Sequence, residues 1–566
     1  MPAKLTISDM LNKVRDKKWV LPNFQREFVW TADQIAYLFD SISRGYPIGA
    51  IILLKYRKEY LFQARGLDGE EGAGQKHEFY IIDGQQRLTS LYKIICEYPN
   101  NSVDDELHYL SIKKEQGAEQ KFAFFFKYNA KPREDLYVYA KRINKNTIPE
   151  EWIKKNGYIP LEYVFSKGQT LNSYLKKHKI ETYKKKITKF KVNINGYEPT
   201  VKQCEDKWII NDYRNVFERL NKAGTNLSPF DECASILSKH KFNLHKKWRD
   251  VSGNQKFGAI GKLDIDPMYI LKTLFIIHQI DHIDHNDPTI QSPSLRNLKR
   301  YFKESNLDEI NSTWNESVIC INFACNQLIN EYGVLHKRLI PYTPMIVTLA
   351  STWYSFKRFS KKIRFIKTFN KKIDWWYWSS IFSSQYDKST DNKIKGHVEK
   401  LVKWTHPTKA INSKWEKHKI DLKVLRSDLI RMHNNTDARY KGILCLPIAI
   451  SKLKKDILGK PIVNFEDHHI FPKTPLNNLK LGLSDGQINN IANRIILDIE
   501  SNRSIKDIFP FQYKKNKILV SKKDWETYIV PSKVNDMEVK KSSYRSFLKE
   551  RTDLIIEVIT KVIKKP

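Results

Sequence analysis

Apolar positions along the first hundred residues switch between helical and strand spacing. Leu5, Leu11 and Val14 predict a short helix over residues 6–15, with Ser8 as its cap. Ile35, Leu38, Phe39 and Ile42 predict a second helix starting near Thr31 and ended by Gly45-Tyr46-Pro47. The run Ile48 to Leu54 reads as a buried strand, as do Phe79-Tyr80-Ile81-Ile82 and Phe122 to Phe126. Residues 57–76 are polar and glycine-rich, which predicts a surface loop or hairpin, and Leu88, Leu91, Tyr92 and Ile95 return to helical period. From 129 to 207 the chain is lysine-rich with irregular apolar spacing and predicts no definite element. Residues 208–220 read as helix, and long apolar-periodic stretches from 231 to about 400 predict a mainly helical middle.

At 566 residues the chain exceeds the size at which one core keeps growing. Three regions are expected: 1–235, 236–403 and 404–566. Hydrophobic residues at 41% and aromatics at 12% suffice for packed cores. Lys+Arg 98 against Asp+Glu 63 leaves a formal charge of +35, which calls for a polyanionic partner. Cys96, Cys204, Cys233, Cys320, Cys325 and Cys445 show no paired spacing and read as reduced residues of a cytoplasmic protein. Charged residues interrupt every apolar stretch from Met1 to Trp30, unlike a signal peptide. No run of about 20 apolar residues is present to span a membrane.

The sharpest chemical signal lies near the C-terminus, where Glu466-Asp467-His468-His469-Ile470-Phe471-Pro472 is followed by Asn493 and Asn502. Phosphodiester hydrolysis needs a general base, a divalent cation and a group that aims the base. His469 suits the base, because imidazole titrates near neutral pH. His468, on the opposite side of an extended strand, suits the cation together with the side-chain oxygen of Asn502, and Asn493 suits the aiming group. Arg494, Arg503 and Lys506 lie close by in sequence and suit contacts to DNA phosphate. Asn502 also reads as a plain helix N-cap, and Glu466 and Asp467 as support for His468 or as surface acids.

A second constellation is Asp83-Gly84-Gln85-Gln86-Arg87, where a strand turns into a helix and backbone N–H groups can face an anion. Gly84 permits the tight turn, Arg87 can grip phosphate, and Asp83 can hold Mg²⁺. A plain structural turn, with Arg87 paired to a neighbouring acid, fits the same string. His278, His282 and His285 lie among Asp281, Asp284 and Asp287, a metal-like spacing that reads better as a solvated helix end before Pro288. Lysines preceding Trp375-Trp376-Tyr377-Trp378 could follow a DNA backbone while Trp376 or Tyr377 stacks on a base. Aromatics at such spacing are more often core.

The His-His-Ile-Phe-Pro string, Asn493-Arg494-Ile495-Ile496-Leu497 and Asn502-Arg503-Ser504-Ile505-Lys506 resemble the HNH domain of GmrSD-type enzymes, which are modification-dependent (type IV) restriction endonucleases. His468 stands where such sites commonly carry Asp. The strings from Pro22 to Trp30, from Asp83 to Arg87 and from Phe217 to Thr225 resemble the ParB-like N-terminal domain of the same enzymes. They are also similar to the N-terminal domain of SspE, an effector of phosphorothioate-based phage defence.

The resemblance implies an α+β multidomain chain: a ParB-like α/β domain, a helical middle, and a ββα-metal nuclease within a helical domain. It implies a cytoplasmic endonuclease of antiviral defence that binds Mg²⁺ or Mn²⁺ at His468 and Asn502 and cuts modified DNA; a single-metal site cleaves one strand at a time, so nicking is expected at least as much as double-strand breakage. It further implies a coupled NTPase using GTP or another nucleoside triphosphate. Asp83 and Arg87 would be catalytic there, in a pocket with Gln25, Arg26, Gly84, Gln85, Gln86, Arg219, Asn221 and Thr225. A second copy of the chain and other defence proteins stay open as partners. A nucleotide-regulated DNA-binding protein with a degenerate HNH fold stays open as a rival reading, as does a nuclease acting on unmodified DNA or RNA.

Overall fold

A computed structural model describes residues 4–22, 25–57, 64–67, 77–97, 110–112, 120–131, 136–143, 150–166, 170–204, 228–283, 288–359, 364–406 and 420–564. The chain divides into two compact units, Met1–Lys247 and Trp248–Pro566. Its architecture is mixed α/β and mainly helical.

The first unit holds strands β1 (Trp19–Pro22), β2 (Ile51–Lys55), β3 (Ala64–Arg65), β4 (Phe79–Asp83), β5 (Leu110–Ile112), β6 (Gln120–Lys127), β7 (Val138–Ile143), β8 (Tyr158–Pro160) and β9 (Val201–Gln203). One sheet runs β3-β1-β4-β2-β9, with β1 parallel to β4 and β2 parallel to β9. A second is built on β6, which pairs antiparallel with β5, β7 and β8. The irregular lysine-rich stretch thus contributes strands and helices of its own, held by tertiary packing that its local periodicity does not announce.

Helix α1 (Ile7–Arg15) buries Ile7, Met10, Leu11 and Val14 at helical spacing. Thr6, not Ser8, caps it: its hydroxyl accepts the Asp9 N–H at 3.2 Å while the Asp9 carboxylate accepts the Thr6 N–H at 3.0 Å. Helix α2 (Ala32–Ser43) starts at a second capping box on Thr31 and buries Ile35, Leu38, Phe39 and Ile42. Helix α3 (Gln85–Tyr92) follows β4 through Gly84, whose φ of +96° suits glycine. A Cβ there would also sit 2.4 Å from Ile51 Cδ1.

The second unit contains helices α4 (Met268–His282), α5 (Leu295–Glu304), α6 (Leu307–Asn330), α7 (Pro344–Phe359), α8 (Arg364–Phe382) and α9 (Thr390–Thr405). Trp375, Trp376, Tyr377 and Trp378 are buried in α8. Trp376 donates its indole N–H to His397 Nδ1 at 3.0 Å, and Tyr377 stacks on Tyr332 with ring centroids 3.8 Å apart. Their apolar faces go to the core, so stacking on a nucleic-acid base is ruled out for them. His278 lies 2.5 Å from Glu309, and Asp281 accepts from Tyr354 and pairs with Arg358. The expected histidine–aspartate patch is therefore engaged within its own helical surroundings, while His285, Asp284 and Asp287 lie outside the described residues.

Beyond helix α10 (Ala438–Ser451), the unit closes on β10 (Phe465–His469), β11 (Arg494–Asp498), helix α11 (Ile499–Ile505) and the long helix α12 (Lys541–Val562). The strands are antiparallel, with His468 opposite Ile495 and His469 opposite Arg494. Ile470, Phe471, Ile495, Leu497 and Ile505 share one core with Trp525, Tyr544 and Phe547. The two strands and α11 thus form a ββα unit whose back is packed and whose histidine-bearing end is polar. Cys204, Cys320, Cys325 and Cys445 are buried thiols whose pKa is raised by that burial, as suits unreactive packing residues. Among the described residues no helix is long and apolar enough to cross a membrane.

Candidate functional site

Strand alternation on β10 separates the two histidines. His468 is 5% exposed, and His469 on the opposite side is only partly buried. Asn502 lies in the second turn of α11. Asp498 is the N-cap, its carboxylate accepting the Glu500 N–H at 3.0 Å, so the Asn502 amide is not used for capping. It meets His468 instead, with Nδ1 and Oδ1 2.6 Å apart. The other ring nitrogen of His468, Nε2, is buried with no hydrogen-bond partner among the described residues. Burial pushes the His468 pKa down to about 4, against the hydrogen bond from Asn502, which favours the charged ring, while Arg494 lowers it further. Nε2 of His468 is a free imidazole nitrogen of the kind that ligates a divalent cation, and Asn502 Oδ1 stands beside Nδ1 of the same ring.

His469 is aimed by a residue that spacing did not single out. Its Nε2 lies 3.0 Å from Asn489 Oδ1. The same oxygen accepts from Arg494 Nη2 at 2.8 Å, and Asn489 Nδ2 donates to Asp485 at 2.8 Å. Those two partners fix which way the amide points, so Nε2 of His469 carries the proton and Nδ1 keeps its lone pair. Burial lowers the His469 pKa to about 4, Arg494 adding to the effect, and the ring is neutral at pH 7.

Asn493, expected to fix that ring, does something else. It is fully buried, its amide donating to the carbonyls of Phe471 (3.0 Å) and Ile488 (2.9 Å) and accepting the Phe471 N–H at 2.8 Å. The side chain saturates buried backbone groups on two segments and so holds the turn after His469 in place. Arg494, expected at the phosphate, is largely buried: it donates to the Asp467 carbonyl at 3.1 Å as well as to Asn489. Arg503 and Lys506 are exposed, on and just after α11.

Behind this front stand Asp467, which the sequence offered as support for His468 or as a surface acid, and Arg551, which sequence reading passed over. Asp467 accepts the Tyr440 hydroxyl at 2.6 Å, and burial raises its pKa. Arg551 of α12 is 3% exposed and donates to the carbonyls of Ala492 (3.0 Å), Arg494 (2.8 Å) and Ile529 (3.0 Å). Its pKa falls to about 9 through burial, which still leaves it charged at pH 7. The helical period of α12 marks Arg551 as a break in an apolar face, the one signal that pointed to it.

In the first unit, the Asp83–Arg87 string ties its own turn together. Gln85 donates to the Arg26 carbonyl at 2.6 Å, and Gln86 accepts from Val29 N–H at 2.8 Å and donates to Glu27 at 3.1 Å. Arg87 donates to Ile48 O (2.6 Å), Ala50 O (3.0 Å) and Asp83 (2.9 Å). Gln25 is buried, its amide donating to Ile81 O at 2.6 Å and Ile82 O at 3.1 Å. Gln25, Arg26, Asp83, Gly84, Gln85, Gln86 and Arg87 are therefore brought together, mostly through bonds to the backbone of neighbouring segments, with the Asp83 side chain 44% exposed. Arg219, Asn221 and Thr225 lie outside the described residues.

Residues 7–238 match the family model for the N-terminal domain of the GmrSD restriction endonucleases, a family of enzymes whose substrate is DNA. Over 551 residues the chain is 26% identical to an uncharacterized protein of Methanocaldococcus jannaschii, covering 91% of this chain and 87% of that protein.

Proposed function

We propose that the chain is a DNA endonuclease of the type IV restriction class, with an HNH-type active site in its C-terminal unit. The observation that carries this reading is the convergence of His468 and Asn502 at 2.6 Å, with His469 next to them on β10 and held by Asn489. The N-terminal family match supports DNA as the substrate.

His469, its proton kept on Nε2 by Asn489, presents Nδ1 to a water molecule and takes a proton as the water oxygen attacks phosphorus. The new P–O bond forms as the bond to the 3′ oxygen breaks. His468 and Asn502 would hold Mg²⁺ or Mn²⁺, which when bound neutralises charge on the phosphate and the departing oxygen. Asn493 keeps the turn after His469 rigid, and Arg494 keeps Asn489 pointed at the ring. One such site severs one strand per encounter, so nicked DNA is the first product.

The N-terminal unit is proposed to sense modified DNA and to bind GTP or another nucleoside triphosphate at the Asp83–Gly84 turn. The half-exposed Asp83 carboxylate at the start of α3 supports this. Phosphate release that Asp83→Ala leaves unchanged would remove the nucleotide role.

Supercoiled plasmid incubated with purified protein and Mn²⁺ or Mg²⁺ tests the nuclease reading. The parent is expected to give open-circular DNA, and His469→Ala to lose roughly 10²-fold or more of that rate. Parent-like cutting by a folded His469→Ala variant would overturn it.

A further inference from the structure

One face of α5 is built entirely of cations. Arg296, Lys299, Arg300 and Lys303 recur at three- and four-residue spacing, while Leu298, Tyr301 and Phe302 are buried on the other side. Together with Leu295, these four line an open cavity of about 440 Å³. Arg296, Arg300 and Lys303 are exposed.

These three exposed cations carry uncompensated charge. Several other cations of the same unit sit on carboxylates: Lys272 on Asp391, Lys337 on Asp264, Arg439 on Asp428, Lys452 on Glu331. Among the described residues Arg296, Arg300 and Lys303 form no such ion pair. Arg300 is instead tethered by the side-chain carbonyl of Gln291, whose backbone N–H is held by Gln279 at 2.6 Å. A neutral tether orients the guanidinium without cancelling its charge. At about 1.5 Å of rise per residue, Arg296 to Lys303 spans roughly 10 Å, enough to meet successive phosphates along one strand.

We infer that this face of α5 is a docking surface for the phosphate backbone of duplex DNA, in the same unit as the candidate nuclease site. The inference deepens the DNA reading above and rests on it for the identity of the polyanion. The contacts are to phosphate, so they hold DNA without reading its sequence.

The test uses full-length protein carrying His469→Ala, so that DNA is bound but not cut. Its affinity for a labelled duplex is measured from about 50 to 200 mM salt. Adding R296Q, R300Q and K303Q is expected to weaken binding at least about 10-fold near 100 mM salt. It should also reduce the slope of log K against log salt by up to about 2.7, near 0.9 for each phosphate that is no longer neutralised. The charge-preserving set R296K, R300K and K303R is expected to keep the parent slope.

Unchanged affinity and slope in the neutralised variant, with an unchanged thermal melt, would overturn the inference. Tighter binding of single-stranded RNA than of duplex, abolished in the same variant, would overturn the assignment to duplex DNA. Plasmid nicking by the parent is scored separately. A parent that does not nick but whose neutralised variant shows the reduced slope would leave this docking face standing and the nuclease reading fallen.

Discussion

Asn489 decides which nitrogen of His469 can take a proton, because its oxygen is pinned by Arg494 and its NH₂ by Asp485. Truncation to Ala frees the ring to rotate and to change tautomer. Asn489→Ala is therefore expected to lower kcat by about 10- to 100-fold while Mn²⁺ binding stays as in the parent; an unchanged kcat would show that the ring is aimed by something else. The two histidines also tie stability to pH. Both titrate near 6.5 in an unfolded chain and near 4 when folded, so the unfolded chain binds protons first as pH falls. Their contribution is complete above pH 6.5 and is lost as pH drops towards 4. In the presence of chelator, the melting temperature of the parent should fall more steeply over that window than that of a His468→Gln, His469→Gln variant; parallel curves would refute the assignment. At this scale the chain was legible in part. Two histidines and an asparagine nine residues after Asn493 were visible from spacing, and they lie together. Which amide aims the ring was not, because Asn489, Asn490 and Asn493 are chemically alike in sequence and differ only in what they meet: a ring and charged side chains for Asn489, buried carbonyls for Asn490 and Asn493.

The ββα unit depends on α12, which lies beyond it in the chain. Arg551 reaches from that helix to the carbonyls on either side of Asn493, and Tyr544 and Phe547 pack on Phe471 with ring centroids 5.6 and 4.8 Å away. Substituting Met for Arg551 keeps volume and leaves several buried carbonyls without a donor, at a cost of about 3 kcal/mol. Urea unfolding followed at Trp525 is expected to show that loss, with cleavage falling in parallel as the 489–494 turn loosens. A stability change under about 1 kcal/mol would mean the carbonyls find other partners. The helices α1 and α2 and the strand β4 could be read from sequence because apolar residues at helical or strand period agreed with packing, although the α1 cap is Thr6 and not Ser8. Of the sheet around β6 only Phe122 to Phe126 could be read, since β7 and β8 sit in lysine-rich sequence and gain their apolar contacts from residues distant in the chain.

On the scale of the whole molecule, the formal charge of +35 suggested a polyanion without saying where it binds. Most of the charge is dispersed or locally paired, and the cationic face of α5 emerged only from the pattern of ion pairs around it. The aromatic run in α8 shows the converse: a stretch that could have been a stacking platform is core, because an amphipathic helix beside others turns its apolar face inward. Within one small site, cation binding and proton transfer are assigned to different side chains. Titrating Mn²⁺ into the full chain and four single variants tests that assignment directly. The parent, His469→Ala and Asn489→Ala are expected to bind one equivalent with similar affinity, whereas His468→Ala and Asn502→Ala should each weaken it by about 10-fold or more. Parent-like Mn²⁺ binding by both His468→Ala and Asn502→Ala would contradict the account.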